Sequence, residues 1–281
     1  MNPQIKNNTG IIGFPIEHSL SPVLHNYWIR QNKILGEYKA YRVEKKGIQN
    51  FINSSINSNF LGFNITLPHK QNIIPFLDYI SDEAKALKAV NTVLIKNGKT
   101  KGYNTDTYGF IENLNSNFPE WKKRKGEAVI YGAGGAARAV AWSLLKNNFF
   151  KINIVNRTKS KALKLIADMK KIFPKASLSF FSDYNIATRD AVLLVNTTSL
   201  GMKGQPPLKL KLNLLDTKAI VYDLVYNPIE TNLLKEAKKL NFYALDGLGM
   251  LLYQAVPAFR MWYGVDVKVD KKLREMTLNN Y

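Results

Sequence analysis

At 281 residues with 46% apolar content, the chain exceeds ordinary single-domain size and can build two domains of roughly 100 to 150 residues each. It has no cysteine, which excludes disulfides, thiolate nucleophiles and cysteine metal sites; its three histidines, His18, His25 and His69, are too few for a histidine-rich centre, so no metal is expected. Lys plus Arg outnumber Asp plus Glu by 40 to 21, and the net charge of +19 would suit nucleic acid by phosphate neutralisation, but the basic residues are spread along nearly the whole length. Only "WKKRK", Trp121 to Lys125, is dense, the pattern of a solvated loop. No run approaches the roughly 18 unbroken apolar residues of a membrane helix, and Met1 to Gly10 lack the basic-then-apolar order of a signal peptide. The expectation is a soluble, cytoplasmic protein with neither membrane nor nucleic-acid partner, whose surface attracts anionic small molecules.

In chain order, "TGIIGFP", "EYKAYRVE" and "GFNITLP" read as strands with helix-like stretches between them, and "NTVLIKNGKTKGYN" as a hairpin turning at Asn97-Gly98. A helix from about Tyr108 to Asn117 and the basic run follow. Next come "EAVIYGAGGAARAVAWSLLKNN", "KINIVNRT" and a helix near Lys159 to Lys171, which together make a βαβ unit. Strand-like "SLSFFS", "AVLLVNTT", "KAIVYDLVY" and "NFYAL" continue a parallel alternation to about Leu245; the tail from Asp246 is helical in pattern.

"YGAGGAA" places Gly132 and Gly134 at the first two glycines of a dinucleotide turn and Ala137 at the third. Backbone without side chains can approach a pyrophosphate there, and the following helix contributes free N–H groups and partial positive charge. After the second strand, where NAD-selective sites hold an acid for the ribose, "VNRTKSK" has none before Asp168. Arg157 and Lys161 can meet a 2′-phosphate, with Asn156 and Thr158 as donors, so NADP fits better. In "EHSLSP", Ser19 and Ser21 can aim two hydroxyls at one carboxylate if the segment is extended or sharply turned; read alone, turn chemistry is the stronger reading of the pair.

Taken in order, "HSLSP", "NITLPHK", "AVNTV", "NTDTYG", "GAGGAA", "NRT", "NTTSLGM", "YDLVYNP" and "DGLGMLLYQA" resemble shikimate dehydrogenases from about Gly10 to Trp262. The resemblance implies an α/β protein: an N-terminal substrate-binding and catalytic domain (1–105), a Rossmann-type doubly wound NADP-binding domain (106–245) and a C-terminal helical segment (246–281) returning to the substrate domain, with the active site in the interdomain cleft. It implies NADPH-dependent, reversible reduction of 3-dehydroshikimate to shikimate, on the route to chorismate and aromatic amino acids, by a monomer or homodimer. By position, Ser19 and Ser21 would hold the substrate carboxylate with Thr66 and the Tyr226 hydroxyl. Asn91, Asp106 and Gln254 would bind ring hydroxyls, Asn64 would support the same pocket, and Lys70 and Asp106 would form the catalytic pair. NADP would lie against Gly132, Ala133, Gly134, Gly135 and Ala136 and against Asn156, Arg157, Thr158 and Lys161, with Asp82, Leu224 and Gly247 at further contact positions. The family commonly has arginine where this chain has Lys161, which keeps the charge and loses the fork.

In "NITLPHK" the alternation sets Asn64 and Thr66 on one strand face and Ile65 and Leu67 on the other, with Pro68 suited to a first helical turn that carries Lys70. His18, His25 and His69 read as packing or hydrogen-bonding residues. Two alternatives stand beside this reading: a quinate/shikimate dehydrogenase using NAD or NADP, and a non-catalytic nucleic-acid-binding protein with a Rossmann-like fold, which rests on charge alone.

Overall fold

The computed structural model describes residues 7–58 and 60–280, so the part of the N-terminal reading that falls on Met1 to Lys6 lies outside the described residues. The chain forms two units: one takes it up to Thr105 and resumes at Leu252, and the other is Asp106–Leu251.

The first unit contains β1 (Asn7–Gly13), α1 (Ser21–Gln31), β2 (Gly36–Arg42), α2 (Ile48–Asn57), β3 (Phe60–Ile65), β4 (Tyr79–Ile80), α3 (Asp82–Leu87), β5 (Thr92–Lys96) and β6 (Lys99–Tyr103). Its six-stranded sheet runs β2-β1-β3-β5-β6-β4. The β1 strand is parallel to both β2 and β3, whereas β5 is antiparallel to β3 and β6. The hairpin turns at Asn97-Gly98, where both residues take positive φ, 53° and 69°, as a two-residue turn that follows strand twist requires. Apolar residues of β1, β3 and β5 (Ile12, Phe63, Ile65, Val93) pack on Ile48 and Ile52 of α2. The sequence reading lacked β4 and α3. A two-residue strand carries no periodicity, and α3 is a six-residue helix announced mainly by its Ser81 cap, whose hydroxyl accepts from Ala84 N–H.

His25 of α1 is fully buried beside this sheet, stacked on Tyr38 at 4.2 Å between ring centroids and 5.3 Å from the ring of Trp262. Neither ring nitrogen has a well-formed hydrogen bond. Burial pushes its pKa from the ordinary 6.5 down to about 3, with adjacent Asn64 opposing the shift. Above pH 6.5 the ring is neutral in folded and unfolded chains alike. Below it the unfolded chain takes up the proton first, so stability falls as pH drops to about 3, by roughly 5 kcal/mol over that window. His25→Phe is expected to flatten this acid limb, measured as unfolding free energy in denaturant at neutral and acid pH.

The second unit begins with α4 (Asp106–Asn117) and continues through β7 (Ala128–Tyr131), α5 (Gly135–Lys146), β8 (Lys151–Val155), α6 (Lys159–Ile172), β9 (Ser177–Phe181), α7 (Tyr184–Ala187), β10 (Leu193–Asn196), β11 (Ile220–Asp223), α8 (Asn232–Lys239) and β12 (Tyr243–Leu245). All neighbours in its sheet, β12-β11-β10-β7-β8-β9, are parallel. Alternation along the strands feeds two cores: Ala128 and Ile130 pack with Val140 and Leu144 of α5 on one face, while Val129 packs with Leu233 and Leu234 of α8 on the other. This is a doubly wound sheet whose order reverses between β7 and β10, the place where such sheets bind ligands at the strands' carboxyl ends. The chain then enters α9 (Leu248–Tyr263), which joins the first unit from Leu252 on, and ends in α10 (Lys271–Leu278), capped by Asp270.

The basic run exposes Lys122, Lys123 and Lys125, as expected of a solvated loop, but it is anchored to the unit. Trp121 is buried with its indole N–H donated to Asn115, Arg124 lies over the Tyr243 ring, and Lys123 pairs with Glu120. Among the described residues no helix is long and apolar enough to cross a membrane.

Candidate active site

The sites read from the sequence fall into two groups, one in each unit. In the first unit, β3 ends at Ile65, and the next residues turn: Leu67-Pro68 is a cis peptide, and the chain beyond it forms a turn and a short 3-10 segment, Ile74–Phe76, with no α-helical first turn at Pro68. Leu67 is 74% exposed while Ile65 is 2% exposed, so the expected shared face for the two ends where the strand ends. His69 anchors the turn, with Nε2 2.6 Å from the Val43 carbonyl oxygen. The Lys70 carbonyl accepts from Val90 N–H at 2.8 Å, which ties the half-buried lysine to the residue preceding Asn91.

A buried polar network joins three of the expected substrate residues. Asn64 Nδ2 donates to Thr92 Oγ1 at 2.9 Å and to the Asn91 carbonyl at 3.1 Å. Thr92 Oγ1 donates to Asn91 Oδ1, Asn91 Nδ2 donates to Thr105 Oγ1 at 3.0 Å and to Gln254 Oε1 at 3.3 Å, and Thr105 N–H donates back to Asn91 Oδ1 at 2.8 Å. Buried amides and hydroxyls satisfied in this way hold fixed orientations. Asp106 is covalently next to Thr105 and opens α4. Ser21 begins α1, its N–H donated to Ser19 Oγ at 3.3 Å, so the two hydroxyl residues flank a helix N-terminus that favours a carboxylate. Thr66 is half-buried after β3. Asp82 lies in this unit too, exposed in the first turn of α3 and paired with Lys85 at 3.3 Å.

In the second unit, the glycine turn sits where the strand order reverses. Gly132 follows β7 with φ 122°, donates its N–H to the Val155 carbonyl at 2.8 Å, and packs so tightly on Thr197 that a side chain would collide with it. Space is open in front of Gly134 and Gly135, and Gly134 caps α5 with no side chain, which leaves first-turn N–H groups uncapped. Ala133 is half-buried and Ala136 exposed. After β8, Asn156 Nδ2 donates to the Thr158 carbonyl at 2.8 Å, and Arg157, Thr158 and Lys161 are exposed at the start of α6, whose cap residue Thr158 makes no side-chain capping bond. Asp168 is occupied by Arg138 at 2.7 Å. Gly247 packs against the Leu224 backbone, bringing those two expected contact positions together, and Tyr226 is half-buried, with burial raising its phenol pKa.

Family models match both halves: "Shikimate dehydrogenase substrate binding domain" over residues 11–93 and "Shikimate / quinate 5-dehydrogenase" over residues 112–200. A relative from Methylocella silvestris named shikimate dehydrogenase (NADP(+)) is 42% identical over 95% of this chain and 94% of its own. The chain belongs to the shikimate dehydrogenase family.

Solved members of similar structure include shikimate 5-dehydrogenase from Thermus thermophilus in complex with NADP(H) and shikimate, 32% identical with a TM-score of 0.87 over 98% of this chain and 100% of that one. Another is quinate dehydrogenase from Corynebacterium glutamicum in complex with NAD, 30% identical with a TM-score of 0.89 over 98% and 99%. The uncapped helix start and open glycine cradle fit the dinucleotide of such an enzyme. Gly134→Val, with room for the side chain, is expected to leave the melting temperature within a few degrees and raise KM for NADP about tenfold or more by occupying the pyrophosphate's approach.

Residue-by-residue reading missed the polar framework behind the cofactor turn. Asn196 Nδ2 donates to Asp223 Oδ1 at 2.8 Å and to the Leu200 carbonyl, and its Oδ1 accepts from the Thr198 N–H and hydroxyl. Asp223 also accepts from Thr231 Oγ1 at 2.6 Å and Val225 N–H at 3.0 Å; burial raises its pKa, and these three donors oppose the shift. The signal was present: Asn196 opens "NTTSLGM" and Asp223 lies in "YDLVYNP".

Proposed function

We propose that this chain catalyses the NADPH-dependent, reversible reduction of 3-dehydroshikimate to shikimate, EC 1.1.1.25, on the route to chorismate and aromatic amino acids, with Lys70 and Asp106 as the reacting pair. What carries the reading is the buried chain of amide and hydroxyl groups from Asn64 through Asn91 to Gln254, in the same unit as Lys70 and suited to a polyhydroxy ring. Ser19 and Ser21, at the α1 N-terminus, would receive the carboxylate with Thr66 and Tyr226. Asn91, Asp106 and Gln254 would meet ring hydroxyls.

NADP, when bound, takes or gives the hydride. In reduction, negative charge grows on the carbonyl oxygen, and the Lys70 ammonium donates the proton that makes it a hydroxyl; in oxidation the lysine takes that proton back. Asp106 favours the charged ammonium and orients the same hydroxyl. Gly132, Ala133, Gly134, Gly135 and Ala136 would hold the pyrophosphate, Asn156, Arg157, Thr158 and Lys161 the 2′-phosphate, and Asp82, Leu224 and Gly247 further parts of the cofactor. The same reading makes the protein a cytoplasmic monomer or homodimer without nucleic-acid partners.

A second reading, quinate oxidation with NAD, is favoured by the likeness to the quinate dehydrogenase and opposed by the absence of an acid between Asn156 and Lys161. Following reduced-nicotinamide absorbance with shikimate and quinate, each with NADP and NAD, decides between them. Shikimate with NADP should give the highest kcat/KM; faster turnover of quinate with NAD would establish the second reading, and no turnover of either acid would reject both.

A further inference from the structure

Tyr38 lies on β2, outside every motif of the family resemblance, yet its hydroxyl bonds directly into the substrate network. It is 1% exposed. Its backbone is clamped from both sides by the Asn26 side chain, which donates to the Tyr38 carbonyl at 2.8 Å and accepts from its N–H at 3.0 Å. Its ring is held by the parallel stack on His25. Its hydroxyl donates to Asn64 Oδ1 at 2.7 Å, and the Ser21 hydroxyl lies beside the phenol oxygen.

The hydrogen-bond inventory of Asn64 then has one solution. Both amide hydrogens are used, on the Asn91 carbonyl and Thr92 Oγ1, and the carbonyl oxygen already accepts from Tyr38. A half-turn of the amide would set its oxygen against the Asn91 carbonyl and its NH2 against the Tyr38 hydroxyl. The His25 ring also lies beside the Asn64 side chain but makes no well-formed hydrogen bond to it, so what Asn64 can offer a ligand is the second lone pair of Oδ1, and it can only accept.

We infer that Tyr38 is a positioning residue for the proposed reaction: by donating to Asn64 Oδ1 it commits the Asn64 amide to accept from a hydroxyl of the substrate ring, so the site selects ring acids that carry a donor there. The inference rests on the proposed reading of Asn64 as a substrate contact.

Tyr38→Phe tests it, since the ring, the stack on His25 and the backbone clamp all survive. KM for shikimate should rise about tenfold, the usual cost of one hydrogen bond, with kcat and KM for NADP within about twofold and the melting temperature within a few degrees. Among deoxy analogues of shikimate, the penalty should vanish for the one lacking the hydroxyl that Asn64 accepts, which a merely structural tyrosine would not produce. The side-chain amide protons of Asn64, followed by NMR hydrogen exchange, should lose protection in the variant. Unchanged shikimate KM in Tyr38→Phe while Asn64→Ala raises it would overturn the inference and leave the proposed function standing. Wild-type protein that turns over no shikimate would instead reject the proposed function, and unchanged Asn64 protection in Tyr38→Phe would then overturn the positioning role as well.

Discussion

Lys70→Ala is expected to lower kcat for shikimate oxidation by about a thousandfold while shikimate KM changes by less than about tenfold. The loss belongs to the transition state. A carbonyl oxygen that becomes a hydroxyl needs a proton or a fixed positive charge as the hydride arrives, and alanine offers neither. The fold should survive, because the Lys70 side chain is outside the apolar core of its unit and the turn that carries it is held by backbone contacts, Val90 N–H to the Lys70 carbonyl and His69 to Val43. Lys70→Arg, which keeps charge but not the compact ammonium, should recover only part of the rate. Asp106→Ala should cost about a hundredfold through the same oxygen, together with up to about 1 kcal/mol of stability, since an acid in the first turn of α4 also faces the helix dipole. Steady-state kinetics with circular dichroism on each variant check these values, and near-normal rates in either would remove that residue from the chemistry.

Arg157→Ala is expected to raise KM for NADP about thirtyfold, the worth of roughly 2 kcal/mol for a charge-assisted hydrogen bond to phosphate, and to leave KM for NAD within about twofold. Adding Lys161→Ala should take the NADP penalty to the order of a hundredfold, so that the double variant approaches indifference between the two cofactors. Both side chains are exposed at the start of α6, where neither supports the core, and a loss shared equally by NADP and NAD would point to a distorted turn. Lys161→Arg bears on the one departure from the family's pattern. Restoring the planar fork should tighten NADP a few-fold and leave NAD unchanged.

Much of this architecture was legible because it is written in local patterns. The second unit's strands are apolar runs punctuated by turns, so β7 to β12 and their parallel alternation follow from periodicity, whereas the doubly wound order was implied by the family resemblance. The hairpin at Asn97-Gly98 was legible from two residues. Illegible parts depend on distant partners: β4 needs β6 to exist as a strand, and Leu67 leaves the alternation because the chain turns at Pro68. The same divide runs through the site. Asn64, Asn91 and Gln254 were named from motifs, yet the bonds joining them pass through Thr92 and Thr105, which lie in "AVNTV" and "NTDTYG" without a role assigned to either. Tyr38 sits unmarked within strand-like "EYKAYRVE", because only folding brings β2 beside β1 and places its hydroxyl on Asn64. His25, expected to pack or to form hydrogen bonds, does the first without a well-formed instance of the second.

A crystal structure of the protein with shikimate and NADP tests the central claim most directly. Lys70 Nζ is predicted to lie within about 3.2 Å of the ring oxygen that is oxidised, with the substrate carboxylate at Ser19 and Ser21. Shikimate bound with that amine directed into bulk water, and a different side chain on the reacting oxygen, would contradict it.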